Sequence, residues 1–460
     1  VSSDGTYYLR LMTEDHAGNL SEPETLFTFK YDATPPSNPD PETIEEENCG
    51  VASDVWQNTC SAPRFSWDGA NDNLSGVAGY YWSFDGPTLP PTTWTTETTA
   101  TPGQVSSDGT YYLRLMTEDH AGNLSEPETL FTFKYDGTAP RVTIDQPTAQ
   151  WYANDLPTHF TGTASDEHSG VETVSYTLQN ENGSYWNGTN WNNTSPISLT
   201  ASGTTDWRCD DCDDVIRAHG DGAYTLTVRT TDVAGNTDTA SVSFGLDRAE
   251  PGAWADFAPT GWQTTAETPA SVTVRDTPSG LALDYAQYCV NEDCHTGTWH
   301  AAGSAGTNGS TEPEILTAIL YYTGESDTAL NVRFRVPDRA GNLGTSPLYT
   351  LPVDTLAPRS APLQATETHV SPNGDGVQDD VRFTTSLTDA YLEEWTLRVT
   401  DAGGTAVLTA SGTETAVDVP WDGGGQPEGV YTATLRATDQ AGNATTRRRQ
   451  VTLDVTPPLT

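Results

Sequence analysis

The feature that most limits how this chain folds is an internal copy: residues 1–32, VSSDGTYYLRLMTEDHAGNLSEPETLFTFKYD, recur unchanged at 105–136. One folding unit must therefore serve at more than one place in the chain. Weaker copies follow as DGAYTLTVRTTDVAGN at 221–236, LNVRFRVPDRAGN at 330–342 and EGVYTATLRATDQAGN at 428–443. The aspartate of the shared D-x-A-G-N element stands at Asp15, Asp119, Asp232, Asp338 and Asp439, so successive units lie 104, 113, 106 and 101 residues apart. That spacing suits a seven-stranded β-sandwich of roughly 100 residues and far exceeds the roughly 20–50 residues of a solenoid repeat.

Within a unit the apolar period is two, which predicts strands. Tyr7, Leu9 and Leu11 alternate with Tyr8, Arg10 and Met12, and the aligned inward positions are Tyr224, Leu226 and Val228, then Leu330, Val332 and Phe334, then Tyr431, Ala433 and Leu435. Thr and Arg occupy the other face, as on a solvated sheet. The A-G-N triplet then lets the chain reverse in a tight hairpin, because Gly, and nearly as well Asn, tolerates positive φ. A second strand follows, for example Leu26 to Tyr31. With 30 prolines and 40 glycines in 460 residues, no stretch of about 11 residues keeps a 3.6-residue apolar period, so the chain reads as all-β.

These motifs resemble the bacterial immunoglobulin-like domains strung along large surface and secreted proteins. A unit opens on a D-x-T-x-P-like linker (Asp32 to Pro35, Asp136 to Pro140, Asp354 to Pro358) and passes a D-x-x-S-G element at Asp72, Asp166 or Asp276. It closes on D-G-x-Y and D-x-A-G-N. The D-G-x-Y pieces at 4–7, 108–111 and 221–224 look like tyrosine corners, while the third full unit has Leu330 in that place. The last unit, with SPNGDGVQDDVRF at 371–383 and VPWDGGGQPEGVY at 419–431, is similar to the immunoglobulin-like domain of flagellar hook-cap proteins and C-terminal secretion domains. The resemblance implies a tandem array of β-sandwiches, and few-residue Pro-containing linkers imply an extended rod. The expected segments are 1–32 (the last two strands of a domain), 33–136, 137–247, 248–354, 355–454 and 455–460 (the start of a further unit). The apolar face of 1–32 is expected to be covered by strands from preceding chain or from another copy of the molecule.

Charge narrows the partners. Against 64 Asp and Glu the chain has 21 Lys and Arg, a net charge of -43, which argues against nucleic acid and anionic membrane surfaces. No run approaches the roughly 18 apolar residues of a membrane span. The six cysteines fall as close pairs, Cys49 with Cys60, Cys209 with Cys212 and Cys289 with Cys294, and are read as local disulfides. A redox role for Cys209-Asp-Asp-Cys212 would need a helix N-terminus to lower a thiol pKa, and two aspartates act the other way. The competing zinc set is Cys289, Cys294, His295 and His300. No G-x-S-x-G or H-E-x-x-H occurs, and no enzyme activity is expected. Among the tryptophans, Trp186, Trp191 and Trp207 are the candidates for a sugar platform, whereas Trp67 and Trp82 read as core.

In an immunoglobulin-type sandwich the incoming linker, the B–C loop and the F–G hairpin share one pole. That topology gathers Asp32, Asp72 and Asp119; Asp136, Asp166 and Asp232; Asp247, Asp276 and Asp338; and Asp354, Asp389 and Asp439. Three carboxylates at one pole repel unless protons or a cation intervene, and Ca²⁺ takes six to eight such oxygens. The resemblance implies the same, since related domains of giant adhesins stiffen their junctions with calcium. The competing expectation is that each aspartate caps its own turn. Asn373, Asp375, Asp379 and Asp380 form a further candidate calcium loop. The function that follows is a non-catalytic extracellular or cell-surface stalk or adhesive fibre, whose partners are neighbouring repeats or other copies. The alternative is an accessory, carbohydrate-binding array of a secreted glycoside hydrolase or protease.

Overall fold

The computed structural model describes residues 1–86, 90–290, 297–322 and 329–456. The chain divides into two compact units, Val1–Gln150 with Asp155–Gly245, and Trp151–Asn154 with Leu246–Thr460. Both are built of β-sheet, and the sequence alternation becomes burial directly. Leu330, Val332, Phe334 and Val336 of strand Leu330–Pro337 are buried, and the residues between them are half-exposed.

The first unit opens with an antiparallel hairpin, Gly5–Leu11 paired with Glu24–Tyr31. A sandwich follows. Its larger sheet runs Trp56–Gln57, Glu128–Tyr135, Gly109–Asp119, Val77–Asp85, Thr93–Thr95, and its smaller one Glu45–Glu46, Phe65–Ser66, Thr99–Ala100. Phe65 and Ala100 of the smaller sheet meet Tyr80, Leu113, Leu115, Phe131 and Phe133 of the larger in one core. Trp67 is 3% exposed and Trp82 packs at the edge of that core. The next sandwich sets strands Thr237–Leu246, Gly222–Asp232, Val171–Asn180 and Leu199–Thr200 against Arg141–Val142, Phe160–Ser165 and Asp206–Cys209.

In the second unit, one sandwich sets Gly252–Ala258, Glu267–Arg275, Glu314–Tyr321 and Gly303–Ser304 against a sheet centred on Gln287–Val290 and Leu330–Pro337. The last has a five-stranded sheet, His369–Val370, Ala444–Leu453, Gly429–Asp439, Leu392–Thr400, Ala406–Gly412, over strands Val381–Thr388 and Ala416–Trp421.

Tyr111 donates its hydroxyl to Ser107 O at 2.8 Å, and Tyr224 to Gly220 O and Tyr431 to Pro427 O at 2.6 Å, each four residues upstream. This is the tyrosine corner, and the last sandwich has it as well. Among the described residues, one α-helix, Cys212–His219, departs from the all-strand reading, beside two single 3-10 turns, Pro41–Thr43 and Leu283–Tyr285. Eight residues are too few to display a helical period in the sequence. The helix is held by burial of Cys212 and Ile216, by acids in its first turn, by Arg217 and His219 in its last, and by an Asp213–Arg217 pair at 3.6 Å.

Candidate cation sites

Each D-x-A-G-N hairpin folds around its aspartate. Asp119 Oδ1 accepts the N–H groups of Ala121 and Asn123, both at 2.8 Å, and Oδ2 accepts Asn123 Nδ2 at 2.7 Å. Gly122 turns the chain with φ 89°, the conformation for which glycine is needed. The asparagine does not share that conformation. Its side chain instead reaches the incoming linker: Asn123 Nδ2 donates to Asp32 O (3.3 Å), Asn236 to Asp136 O (2.9 Å), Asn342 to Asp247 O (2.8 Å) and Asn443 to Asp354 O (2.9 Å). Sequence reasoning missed this role, although the invariance of Asn across the five copies was its signal.

The linker aspartates work in two directions. Oδ1 of Asp32, Asp136, Asp247 and Asp354 accepts the N–H two residues on, at 3.2, 3.1, 3.1 and 3.0 Å. Oδ2 of the first three accepts the serine N–H of the D-x-x-S-G loop, from Ser75, Ser169 and Ser279 at 2.9, 3.0 and 2.9 Å. In those loops Asp72, Asp166 and Asp276 accept the glycine N–H at 2.7, 2.7 and 2.9 Å. Asp389, which lacks the S-G, accepts Tyr391 N–H at 2.8 Å.

These bonds bring together the twelve aspartates in four groups. Within each of Asp32/Asp72/Asp119, Asp136/Asp166/Asp232, Asp247/Asp276/Asp338 and Asp354/Asp389/Asp439, one carboxylate oxygen per residue lies within 4.8 Å of the other two. Turn-capping and clustering thus coexist. The groups differ in burial. Asp32 and Asp72 are half-exposed, whereas Asp247, Asp276 and Asp338 are 0%, 4% and 2% exposed. In the first group burial raises the pKa of Asp72 and Asp119, but the backbone N–H donors, with Asn123 at Asp119, outweigh it and both titrate below the ordinary carboxylate range. In the third, burial together with the charges of Asp247 and Asp338 pushes Asp276 up to about 6. Asp338 is raised as well, by burial first, against the bonds from Asn342.

An all-oxygen donor set of converging carboxylates matches a hard divalent cation. Asp72 Oδ1 and Asp439 Oδ2 are buried without a hydrogen-bond donor, so each keeps acceptor capacity at its cluster. The set Asn373, Asp375, Asp379 and Asp380 is organised otherwise. Asp379 accepts the N–H groups of Asn373, Gly374 and Gly376 at 3.0, 2.8 and 2.7 Å, which hold its pKa low, and Asp375 accepts Val377 N–H at 2.9 Å. The loop closes on its own backbone, and among the described residues its carboxylates form no group like the four triads.

A fifth group, Asp108, Asp136 and His168, was not anticipated. Asp108 accepts Gly137 N–H at 2.7 Å and the Thr138 hydroxyl, which clasps the outgoing linker. Asp4 does the same with Ala33 and Thr34, and Glu428 with Val455 and Thr456. The acid before the tyrosine corners at Tyr7, Tyr111 and Tyr431 therefore has a structural task.

Cys49–Cys60 and Cys209–Cys212 are disulfides. Cys289 is buried, and no described cysteine is a free thiol. Cys294 and His295 lie outside the described residues. Cys212 does begin a helix, contrary to the sequence reading, but both sulfur-bearing residues of that pair are 1% exposed. Trp207 is likewise 1% exposed and donates Nε1–H to Thr143 O at 3.0 Å, so it is core and not a platform.

Residues 141–248 and 392–455 match the family profile of the bacterial Ig-like domain. Exoglucanase B of Cellulomonas fimi is 26% identical over 397 residues, 79% of this chain and 31% of that protein. Chitinase A1 of Niallia circulans is 29% identical over 191 residues, 42% of this chain and 24% of that protein. The chain thus spans less than a third of the length of these curated relatives. Among solved structures, a tetra-tandem repeat from the extending region of a large adhesion protein is 17% identical, with 88% of this chain and 98% of that one covered and a TM-score of 0.30. A structure concerned with host cell surface retention of a 1.5-MDa bacterial ice-binding adhesin is 16% identical, covering 69% and 98%, with a TM-score of 0.28.

Proposed function

We propose that this chain, which carries bacterial Ig-like domains at 141–248 and 392–455, is a non-catalytic stretch of an extracellular stalk or adhesive rod whose linkers are fixed to their sandwiches by calcium. The observation that supports this reading is the fourfold recurrence of one arrangement: a linker aspartate meets a loop aspartate and a hairpin aspartate. A cation held there joins the entering chain to the module it enters, which limits bending at each linker. The residues that would hold it are the twelve aspartates of the four triads, and calcium supplies only charge and coordination. The high negative charge, -43, keeps neighbouring rods apart.

Small-angle scattering and thermal melting of the whole chain, with calcium and with chelator, test the reading. Calcium should raise the melting temperature, and the radius of gyration should stand well above the roughly 23 Å of a compact globule of this length. Asp119→Ala should abolish the calcium response of residues 33–136 and leave that of 355–454 intact. A compact radius sinks the rod, and melting curves indifferent to calcium sink the cation.

A second reading is favoured by the names of the curated relatives: an accessory array beside the catalytic domain of a secreted polysaccharide-degrading enzyme. A catalytic domain in the same open reading frame would select it.

A further inference from the structure

One sandwich carries a loop and a helix that the last sandwich lacks. The connection between its strands Val171–Asn180 and Leu199–Thr200 takes up residues 181–198, whereas the corresponding turn between Leu392–Thr400 and Ala406–Gly412 needs only 401–405. The longer segment is ordered by its own bonds. Tyr185 N–H donates to Asn193 O at 2.8 Å and Trp186 N–H to Leu178 O at 3.0 Å, while Asn187 Oδ1 accepts the N–H groups of Thr189 and Asn190 at 2.9 Å. Opposite stands the helix Cys212–His219, tethered at its start by the Cys209–Cys212 disulfide. Between loop and helix lies a cleft of about 660 Å³ lined by Trp186, Asn190 and Trp191 of the loop and by Asp211, Asp214 and His219 of the helix and its start.

The two indoles are in mutual contact, ring centroids 5.6 Å apart. Trp191 is backed by His219 at 4.8 Å and by the buried Tyr224 at 5.8 Å. Core tryptophans of this protein look different: Trp207 and Trp395 are 1% and 6% exposed, with Nε1–H on the carbonyls of Thr143 and Glu414. Trp186 and Trp191 stay half-exposed, on a rigid support. A cleft of this size, with apolar faces and a few converging polar groups, has the make-up of a small-molecule site.

Its chemistry selects the ligand class. Asp211 and Asp214, with no Lys or Arg in the lining, repel anions. A cation cage needs rings standing apart around the charge, and rings already touching leave no room between them. What the pair offers is two adjoining apolar ring faces, tilted 48° to one another, beside carboxylate acceptors and an amide. A pyranose matches both, because its C–H face stacks on an aromatic ring while its rim of hydroxyls donates to carboxylates and exchanges hydrogen bonds with Asn190. We infer that this cleft binds a neutral oligosaccharide, with Trp186 and Trp191 as the platform and Asp211, Asp214 and Asn190 as hydroxyl partners. The inference stands apart from the calcium reading, since none of the triad aspartates lines the cleft.

The test is calorimetric and tryptophan-fluorescence titration of the full chain with cellohexaose, chitohexaose, xylohexaose and mannohexaose, and with choline and a lysine-rich peptide as cationic probes. At least one neutral hexaose should bind, and Trp186→Ala should weaken it about tenfold or more. Asp214→Asn, at an exposed helix position, should weaken it too, with hydrogen exchange of strands 171–180 and 222–232 unchanged. The inference is overturned if no hexaose binds at millimolar concentration, if binding survives both substitutions, or if only the cationic probes bind.

Discussion

The same 32 residues occur twice, and their two settings separate what a sequence does locally from what its neighbours do. In 1–32 and in 105–136 the strands pair in the same register, Leu9 opposite Phe27 and Leu113 opposite Phe131, with the same irregularity beyond. Tyr7 and Tyr111 donate to the carbonyls of Ser3 and Ser107, and Asp15 and Asp119 accept the same three donors of their turns. Burial does not repeat. Leu9, Phe27 and Phe29 are 63%, 60% and 43% exposed, whereas Leu113, Phe131 and Phe133 are 0%, 4% and 0% exposed. The first strand of the second copy also runs on to Asp119, because Val77–Asp85 pairs along it. The hairpin is thus a local property, and the core belongs to residues 45–100.

The carboxylate clusters repeat the lesson. One motif yields a group with Asp32 and Asp72 half-exposed, in which Asp72 and the buried Asp119 titrate low, and a fully buried group whose Asp276 is pushed up to about 6. Donors are supplied by the motif, and solvent is removed by the fold.

The largest expected contrast lies in paired substitutions. Phe133→Ala should destabilise residues 33–136 by about 3–5 kcal/mol, and the identical Phe29→Ala should change the stability of that same segment by no more than about 0.5 kcal/mol. Urea unfolding followed by peptide-level hydrogen exchange measures both. Equal losses would mean that the two copies share one environment after all.

A smaller effect should follow pH in the chelated protein. A carboxyl with a raised folded-state pKa binds its proton more tightly folded than unfolded. Stability of residues 248–354 should therefore rise as pH falls from above 6 towards the ordinary 3.8. Asp72 and Asp119 are depressed instead, so their contribution to 33–136 is present above the ordinary range and lost as pH falls through it. Segment-resolved melting at pH 7, 5 and 3 should show opposite slopes, and Asp276→Asn should flatten the first of them. Parallel slopes would remove the electrostatic distinction.

The smallest contrast concerns Asn38, whose Oδ1 accepts Thr117 N–H at 3.1 Å and the Ser125 hydroxyl at 2.6 Å, while Nδ2 donates to Glu126 O at 2.8 Å. Asn38→Ala should cost about 1–2 kcal/mol in 33–136. It should leave exchange at the equivalent Thr13, which bonds Ser21 within its own hairpin, unchanged.

Strand periodicity, glycine turns, tyrosine corners and the repeat were legible in the amino acids, because each rests on side-chain alternation or on bonds within a few residues. The grouping of Asp32 with Asp72 and Asp119 needed one further step, the shared pole of the sandwich. Other features were not legible. The linker-binding role of Asn123 depends on a carbonyl 91 residues away. The clasp of Asp108 on Thr138 and the self-closed loop around Asp379 depend on where the backbone turns. Trp207 and Trp191 are the same residue type near one another in sequence, and only packing put one in the core and the other on a cleft. The sequence determined which groups are available at each turn. The tertiary structure decided which of them lose water, and that desolvation separates Trp191 from Trp207 and Asp72 from Asp276.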